Sequence, residues 1–336
     1  LLRSLSYGSK NVTISDSNIH LNWAPNTAGN SYNAIEVTNA MKKPAKAYTG
    51  STAIWQQYQE TGTIPEKVFD VSGIKITGNQ ISGGYYGVFF TGVTNSEISN
   101  NLISNNTRNI SMQNHCDNNT ISGNYLTGQV SSGVHLAYDS DGNTIKNNKV
   151  FTDTATGQGL FQAYQDSDNN RFTGNTVEVL GSKMPRWAFY SGSDADGNTF
   201  ASNIVSGRIQ KTAFGVEAIW DYHSANAQGT NYAAYMSSPL GTSTAPIYYN
   251  GGVGSVNNIT IDRNIVDPGY KTASVVYAGA DVSTGYDGKQ NIVGNVNNLT
   301  VSNNVIFGTN GTDFKDVLRL HENGASANDL VNKNNS

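Results

Sequence analysis

Four side chains able to move protons or hold a cation crowd into one short stretch, SSGVHLAYDSDGNTIKNNKVFT at residues 131–152: His135, Tyr138, Asp139 and Asp141. Similar groups return downstream as Gln162, Tyr164, Asp166 and Asp168, then as Tyr190, Asp194 and Asp196, and again as Glu217 and Asp221. Imidazole, phenol and carboxyl groups are the usual agents of general acid–base catalysis. Aspartates gathered together offer the hard oxygen ligands that calcium takes. Either chemistry requires residues some 25 positions apart in sequence to become neighbours in space, which makes the repeating element the next question.

The repeat is legible in the segments IKITGNQI, SEISNNLI, NTISGNYL, NTIKNNKV, NRFTGNTV, NTFASNIV, ITIDRNIV and LTVSNNVI. Each reads as strand, tight turn, strand, and one Asn holds the same place in all of them: Asn79, Asn101, Asn124, Asn148, Asn175, Asn203, Asn264 and Asn304. The intervals are 22, 23, 24, 27 and 28 residues, then 61 and 40, so coils of some two dozen residues acquire large insertions late in the chain. Periods of this length indicate a solenoid. Asn tolerates left-handed backbone and carries an amide that can bond to the coils above and below, so the recurring residue predicts an Asn ladder at the bend between the second and third strands of each coil.

Composition agrees with this architecture and excludes others. Charged residues make up 14% of the chain and Gly 35 of its 336 residues, which is turn chemistry and not helix chemistry. A net charge of -4 and a pI near 5.7 argue against a nucleic-acid surface. No apolar run is long enough to cross a membrane as a helix. Cys116 is the single cysteine, so no intrachain disulfide forms. The start at Leu1, without Met, reads as a trimmed or processed chain. The expectation is one all-β domain over residues 1–336, with insertions at 40–70 and 222–255.

From NVTISDSNI to DVLRLHENG the chain resembles the right-handed parallel β-helix of pectate lyases, other polysaccharide lyases and phage tailspike depolymerases. That resemblance implies an extracellular protein (secreted, on a cell surface or on a virion) acting on a polysaccharide, and a homotrimer if it is of the tailspike kind. In the lyases a substrate carboxylate is neutralised by calcium or by Arg and Lys, while Lys, Arg, His or Tyr near the outer face of the first sheet move the protons. No cofactor is required, and calcium remains open.

Fixing the Asn ladder fixes the first strand of each coil: YGVFFT, RNISMQ, SGVHLAY, GLFQAY, WAFYSG and FGVEAIW. Alternation sends Val88, Ile110, Val134, Phe161, Phe189 and Val216 inward. An outward column then reads Phe89, Ser111, His135, Gln162, Tyr190 and Glu217, with Thr91, Gln113, Ala137, Tyr164, Gly192 and Ile219 as a second. His135, Tyr190, Glu217 and Asp221 are the candidate catalytic groups. Apolar residues follow Glu217, and burial would raise its pKa and suit a general acid. Tyr164, Gln162, Arg186, Trp187, Trp220, His223 and Asp194 are the candidate sugar contacts, because aromatic faces beside planar hydrogen-bonding groups suit sugar rings. In the turn that follows, Asp117, Asp141, Asp168 and Asp196 form one column and His115, Asp139, Asp166, Asp194 and Asp221 another. Asp139 and Asp166 are the candidate cation ligands, against the plainer reading that these aspartates cap turn backbone. Three functions stay open: a polysaccharide lyase or glycoside hydrolase, a noncatalytic adhesin or structural β-helix, and a polyuronate epimerase.

Overall fold

A computed structural model describes residues 2–5, 9–22, 32–38, 71–113, 115–137, 140–155, 159–220, 255–268, 274–279, 292–293, 295–307, 316–321, 327–328 and 331–336. The expected insertion 40–70 lies outside these, as does 222–255 except for Ser255. The described chain is a right-handed parallel β-helix. Ten strands from Leu2–Leu5 to Asp316–His321 form the first sheet, ten from Thr13–Ser15 to Val331–Lys333 the second, and nine from Asn18–His20 to Val305–Ile306 the third.

Each coil buries little by itself, which is why the coils must stack. The three-residue strands of the second sheet contribute one inward side chain apiece, running Ile76, Ile98, Ile121, Ile145, Phe172 and Phe200. The third sheet answers with Ile81, Ile103, Leu126, Val150, Val177 and Val205. All are buried, and each contributes about 1.5–3 kcal/mol of hydrophobic burial.

The corners are held by amides. Asn148 is typical: its Oδ1 accepts from the Asn124 backbone N–H at 3.0 Å and from Asn124 Nδ2 at 2.9 Å, while its own Nδ2 donates to Ile121 O at 2.9 Å and to Asn175 Oδ1 at 3.1 Å. The ladder runs from Asn79 through Asn304 to Asn335. The residue before each ladder Asn has positive φ, as at Gly78, Asn100, Gly123, Asn147 and Gly174. Gly and Asn bear that conformation at least cost, which explains the recurring Gly-Asn and Asn-Asn pairs.

Candidate functional site

The first sheet puts its outward side chains in columns, and pairing follows the expected register as far as Tyr190. Phe89, Ser111, His135, Gln162 and Tyr190 are successive partners. The next step differs from the sequence reading. The strand is Thr212–Glu217, so Tyr190 pairs with Gly215, and Glu217 pairs with Gly192 in the neighbouring column that also holds Tyr164. Phe214, not Val216, continues the inward column of Phe161 and Phe189, because the rings stack at 5.0 and 5.3 Å and that stack sets the register. Ile219 consequently leaves the second column and lies in the short strand Ile219–Trp220, which pairs antiparallel with Ile292–Val293.

Two glycines make the resulting cluster. With no side chain at Gly192, the Tyr190 ring leans over it, and a Cβ there would strike the Tyr190 hydroxyl. The hydroxyl thereby reaches Glu217 and donates a hydrogen bond to it. At Gly215 the Trp187 ring lies flat on the backbone, where a Cβ would come within 2.6 Å of it. Trp187 is thus stacked between Tyr190, at 6.2 Å and 13°, and Tyr277, at 5.5 Å and 24°. Tyr164 tilts against Tyr190 at 6.2 Å.

Cations sit on this floor. Arg186 Nη2 donates to Glu217 Oε1 at 3.0 Å, and its guanidinium stands 5.1 Å from the Trp187 ring. Lys211 Nζ lies 3.8 Å from the same carboxylate oxygen and 4.9 and 5.4 Å from the rings of Trp187 and Tyr277. Lys211 had no place in the sequence reading. It is the basic residue directly before the strand Thr212–Glu217, and sequence offers no way to see that it meets Glu217. Glu217 itself is 2% exposed. At this carboxyl, expected from the sequence to be a general acid, two opposing effects meet: burial favours the protonated form and the two adjacent cations the charged one.

Tyr190 is 1% exposed, and burial, followed by the Glu217 charge, pushes its pKa well above the ordinary phenol value. Its proton is therefore retained at neutral pH. His135, two strands earlier, is 4% exposed with Nδ1 3.1 Å from Ser111 Oγ. Burial, reinforced by Arg108, pulls its pKa well below the ordinary imidazole value, so the ring is neutral. Gln162 stands between the two in the column, its Nε2 donating to Ser132 Oγ at 3.3 Å.

The structure brings together Glu217, Tyr190, Arg186, Trp187 and Tyr164, with His135 and Gln162 in line beside them. Asp166 and Asp194 take equivalent left-handed turn positions, each at φ 62°, at the end of this face. Asp139, Asp221 and His223 lie outside the described residues, as does the side chain of Trp220. Among the described residues, no three His, Cys, Asp or Glu side chains stand together as a metal site. The other aspartate column is a ladder of its own. Asp117, Asp141, Asp168 and Asp196 each accept the backbone N–H of the next member through Oδ1, the last from Asn257. This is the turn-capping reading of those residues.

The family model described as periplasmic copper-binding protein (NosD) matches residues 39–237. No curated protein sequence matches the chain significantly. Among solved structures, an alginate lyase from Paenibacillus sp. str. FPU-7 is 14% identical, with a TM-score of 0.51 over 79% of this chain and 84% of the lyase. A GH87 α-1,3-glucanase from Streptomyces thermodiastaticus is 16% identical, with a TM-score of 0.50 over 79% of this chain and 49% of the enzyme. A DFA-IIIase from Arthrobacter chlorophenolicus is 12% identical, with a TM-score of 0.46 over 79% of this chain and 60% of that one. The chain therefore spans most of the lyase's length but only about half to three-fifths of the other two. At these identities the likeness is one of fold.

Proposed function

The chain belongs to the NosD family of parallel β-helix proteins, and from that premise we propose that it is a polysaccharide-degrading enzyme working on the outer face of the first sheet. The observation that carries this reading is the shielded cluster in which Tyr190, Glu217, Arg186 and Lys211 meet over a floor of Trp187 and Tyr277. Catalytic polar groups gathered in a water-excluded place act more strongly than in solvent. Fold neighbours that include an alginate lyase and an α-1,3-glucanase support the class.

Within that class the geometry favours β-elimination on a uronate-containing polymer. Hydrolysis asks for a protonated carboxyl donor, which Glu217 beside two cations is poorly suited to be. Elimination asks for a base at the proton alpha to the carboxylate, an acid for the departing glycosidic oxygen, and positive charge on the carboxylate. Neutral His135 is in the protonation state a base needs and protonated Tyr190 in that of an acid, the glycosidic oxygen replacing Glu217 as acceptor of the Tyr190 hydroxyl, while Arg186 with Lys211 supplies the charge. His135 and Tyr190 are two strand spacings apart, about 10 Å, which leaves room for one sugar ring with a hydrogen bond on either side. An epimerase would share the proton abstraction and lack the bond cleavage.

The family's copper description does not suit the described residues of this chain. Cys116 and Met112 are core side chains, and His135 is bonded to a serine. No other described His, Cys, Asp or Glu joins them in a group of three. No step is therefore assigned to copper. The description of the family as periplasmic supports a place outside the cytoplasm.

The deciding experiment incubates the protein with acidic and neutral polysaccharides and follows reducing ends together with the ultraviolet absorbance of unsaturated uronates. Elimination gives both signals. Reducing ends without absorbance would assign a hydrolase, and binding without either would assign an adhesin.

A further inference from the structure

The outer face of the first sheet carries a second aromatic group, four strands before Tyr190. Phe89 heads the column that leads through Ser111, His135 and Gln162 to Tyr190. Its ring stacks on that of Tyr86 with centroids 4.6 Å apart and planes at 17°. Tyr85 meets Tyr86 edge-on at 4.7 Å. None of these rings belongs to the core, since Val88 and Phe90 take the inward positions of the strand at 0% exposure. Trp187 and Tyr190 are 0% and 1% exposed, whereas Tyr85, Tyr86 and Phe89 are only half-buried. Flat apolar surface left in partial contact with water forgoes about 25 cal/mol for every Å² not covered. Polar groups border it in the way a sugar's hydroxyls would use. The Arg108 guanidinium stands 5.9 Å from the Tyr86 ring, and Gln113 Nε2 donates to the Tyr86 hydroxyl at 3.4 Å.

We propose that Tyr85, Tyr86 and Phe89, with the Arg108 guanidinium as hydrogen-bond donor and Gln113 holding the Tyr86 hydroxyl in place, form a distal sugar-binding platform for the polysaccharide that occupies the Tyr190 site. The proposal rests on the polysaccharide reading of that site and adds a second point of grip. Four strand spacings separate Phe89 from Tyr190, about 19 Å, or roughly four sugar rings laid along the helix axis. A chain long enough to touch both places gains from the second contact as an intramolecular event, and a shorter one does not. The protein should therefore prefer long chains, and that preference should depend on Phe89.

The test uses the full chain and whichever polymer of the acidic and neutral panel the wild type binds, cut to trimers and to chains of eight sugars. Binding is measured for wild type, Phe89→Ala and Phe89→Leu. Leu keeps apolar volume but lacks a π face, so it separates sugar stacking from packing should the alanine variant fail to fold. Both variants are expected to bind the longer chain about 3- to 10-fold more weakly, as the loss of one aromatic contact implies, with trimer binding and melting temperature unchanged. Equal wild-type and Phe89→Leu affinity for the longer chain would overturn the platform, and so would equal weakening for both lengths. Failure of the wild type to bind any polymer in the panel would overturn the polysaccharide reading itself, and the platform with it.

Discussion

Glu217 and Tyr190 share a space that exists because residue 192 is glycine. The Tyr190 hydroxyl crosses Gly192 to reach the carboxylate, which Arg186 and Lys211 also approach. Replacement of Gly192 by Ala should displace the Tyr190 ring, with loss of activity and a lowered melting temperature measured on the same sample. Tyr190→Phe keeps the ring and removes the proton. It should lower kcat by about 100- to 10,000-fold, the range for a lost general acid, while polymer affinity stays near wild type. Glu217→Gln tests a different role. If the carboxylate positions Arg186 and Lys211, the variant should lose activity chiefly through a raised KM for acidic polymer. If it were a proton donor, kcat alone would fall.

At the scale of elements, the corners of the coils carry the stability that the short strands cannot supply. Asn148→Ala removes four side-chain hydrogen bonds inside the coil stack and strands the Asn124 N–H and the Ile121 carbonyl, while Asn175 Oδ1 keeps the backbone N–H of residue 148. At about 1–3 kcal/mol for each buried group left unsatisfied, a loss of roughly 3 kcal/mol or more is expected in denaturant unfolding. A second ladder holds the bend between the first and second sheets, with Asn119, Asn143, Asn170 and Asn198 each bonded to the next. These residues stand five positions before the ladder residues that the spacing reveals, so the sequence carries the second ladder at the same period.

The aspartate ladder of that bend makes a pH prediction. Asp168 lies between Asp141 and Asp196, and burial, with Asp166, Asp141 and Asp196 close by, raises its pKa to about 8, partly opposed by the Asp196 N–H. A folded-state pKa above the ordinary 3.8 means that the folded chain holds a proton the unfolded chain releases. The associated stability is fully present below about pH 4 and is lost as pH rises through about 8. Asp168→Asn mimics the protonated form, and the same column already uses Asn257 and Asn297 further on. Allowing for partial solvent screening, the variant should be about 1–2 kcal/mol more stable than wild type at pH 9 and little different at pH 4, as read from thermal melts.

For the whole molecule, one face of the solenoid gathers every described candidate group for catalysis and sugar binding, from Phe89 to Tyr277. Light scattering bears on how that face is presented. A trimer would agree with the resemblance of the sequence to tailspike β-helices, and a monomer would match an enzyme acting alone. The sequence by itself determined the coil, because side-chain period and turn chemistry are local: Asn at each corner and one apolar residue in each short strand leave few other ways to fold. It also determined the outward line through His135, Gln162 and Tyr190, since alternation along a strand follows from the pleat. Tertiary structure alone decided where Glu217 stands, because a Phe stack formed between coils set the last register by two residues. It likewise decided that Glu217 meets Arg186 and Lys211 and not open solvent. Those contacts are made across 31 and 6 residues of chain, beside the Tyr190 and Trp187 rings that occupy the gaps at Gly192 and Gly215. A gap left by a missing side chain acquires meaning only when the neighbouring coil is in place to fill it.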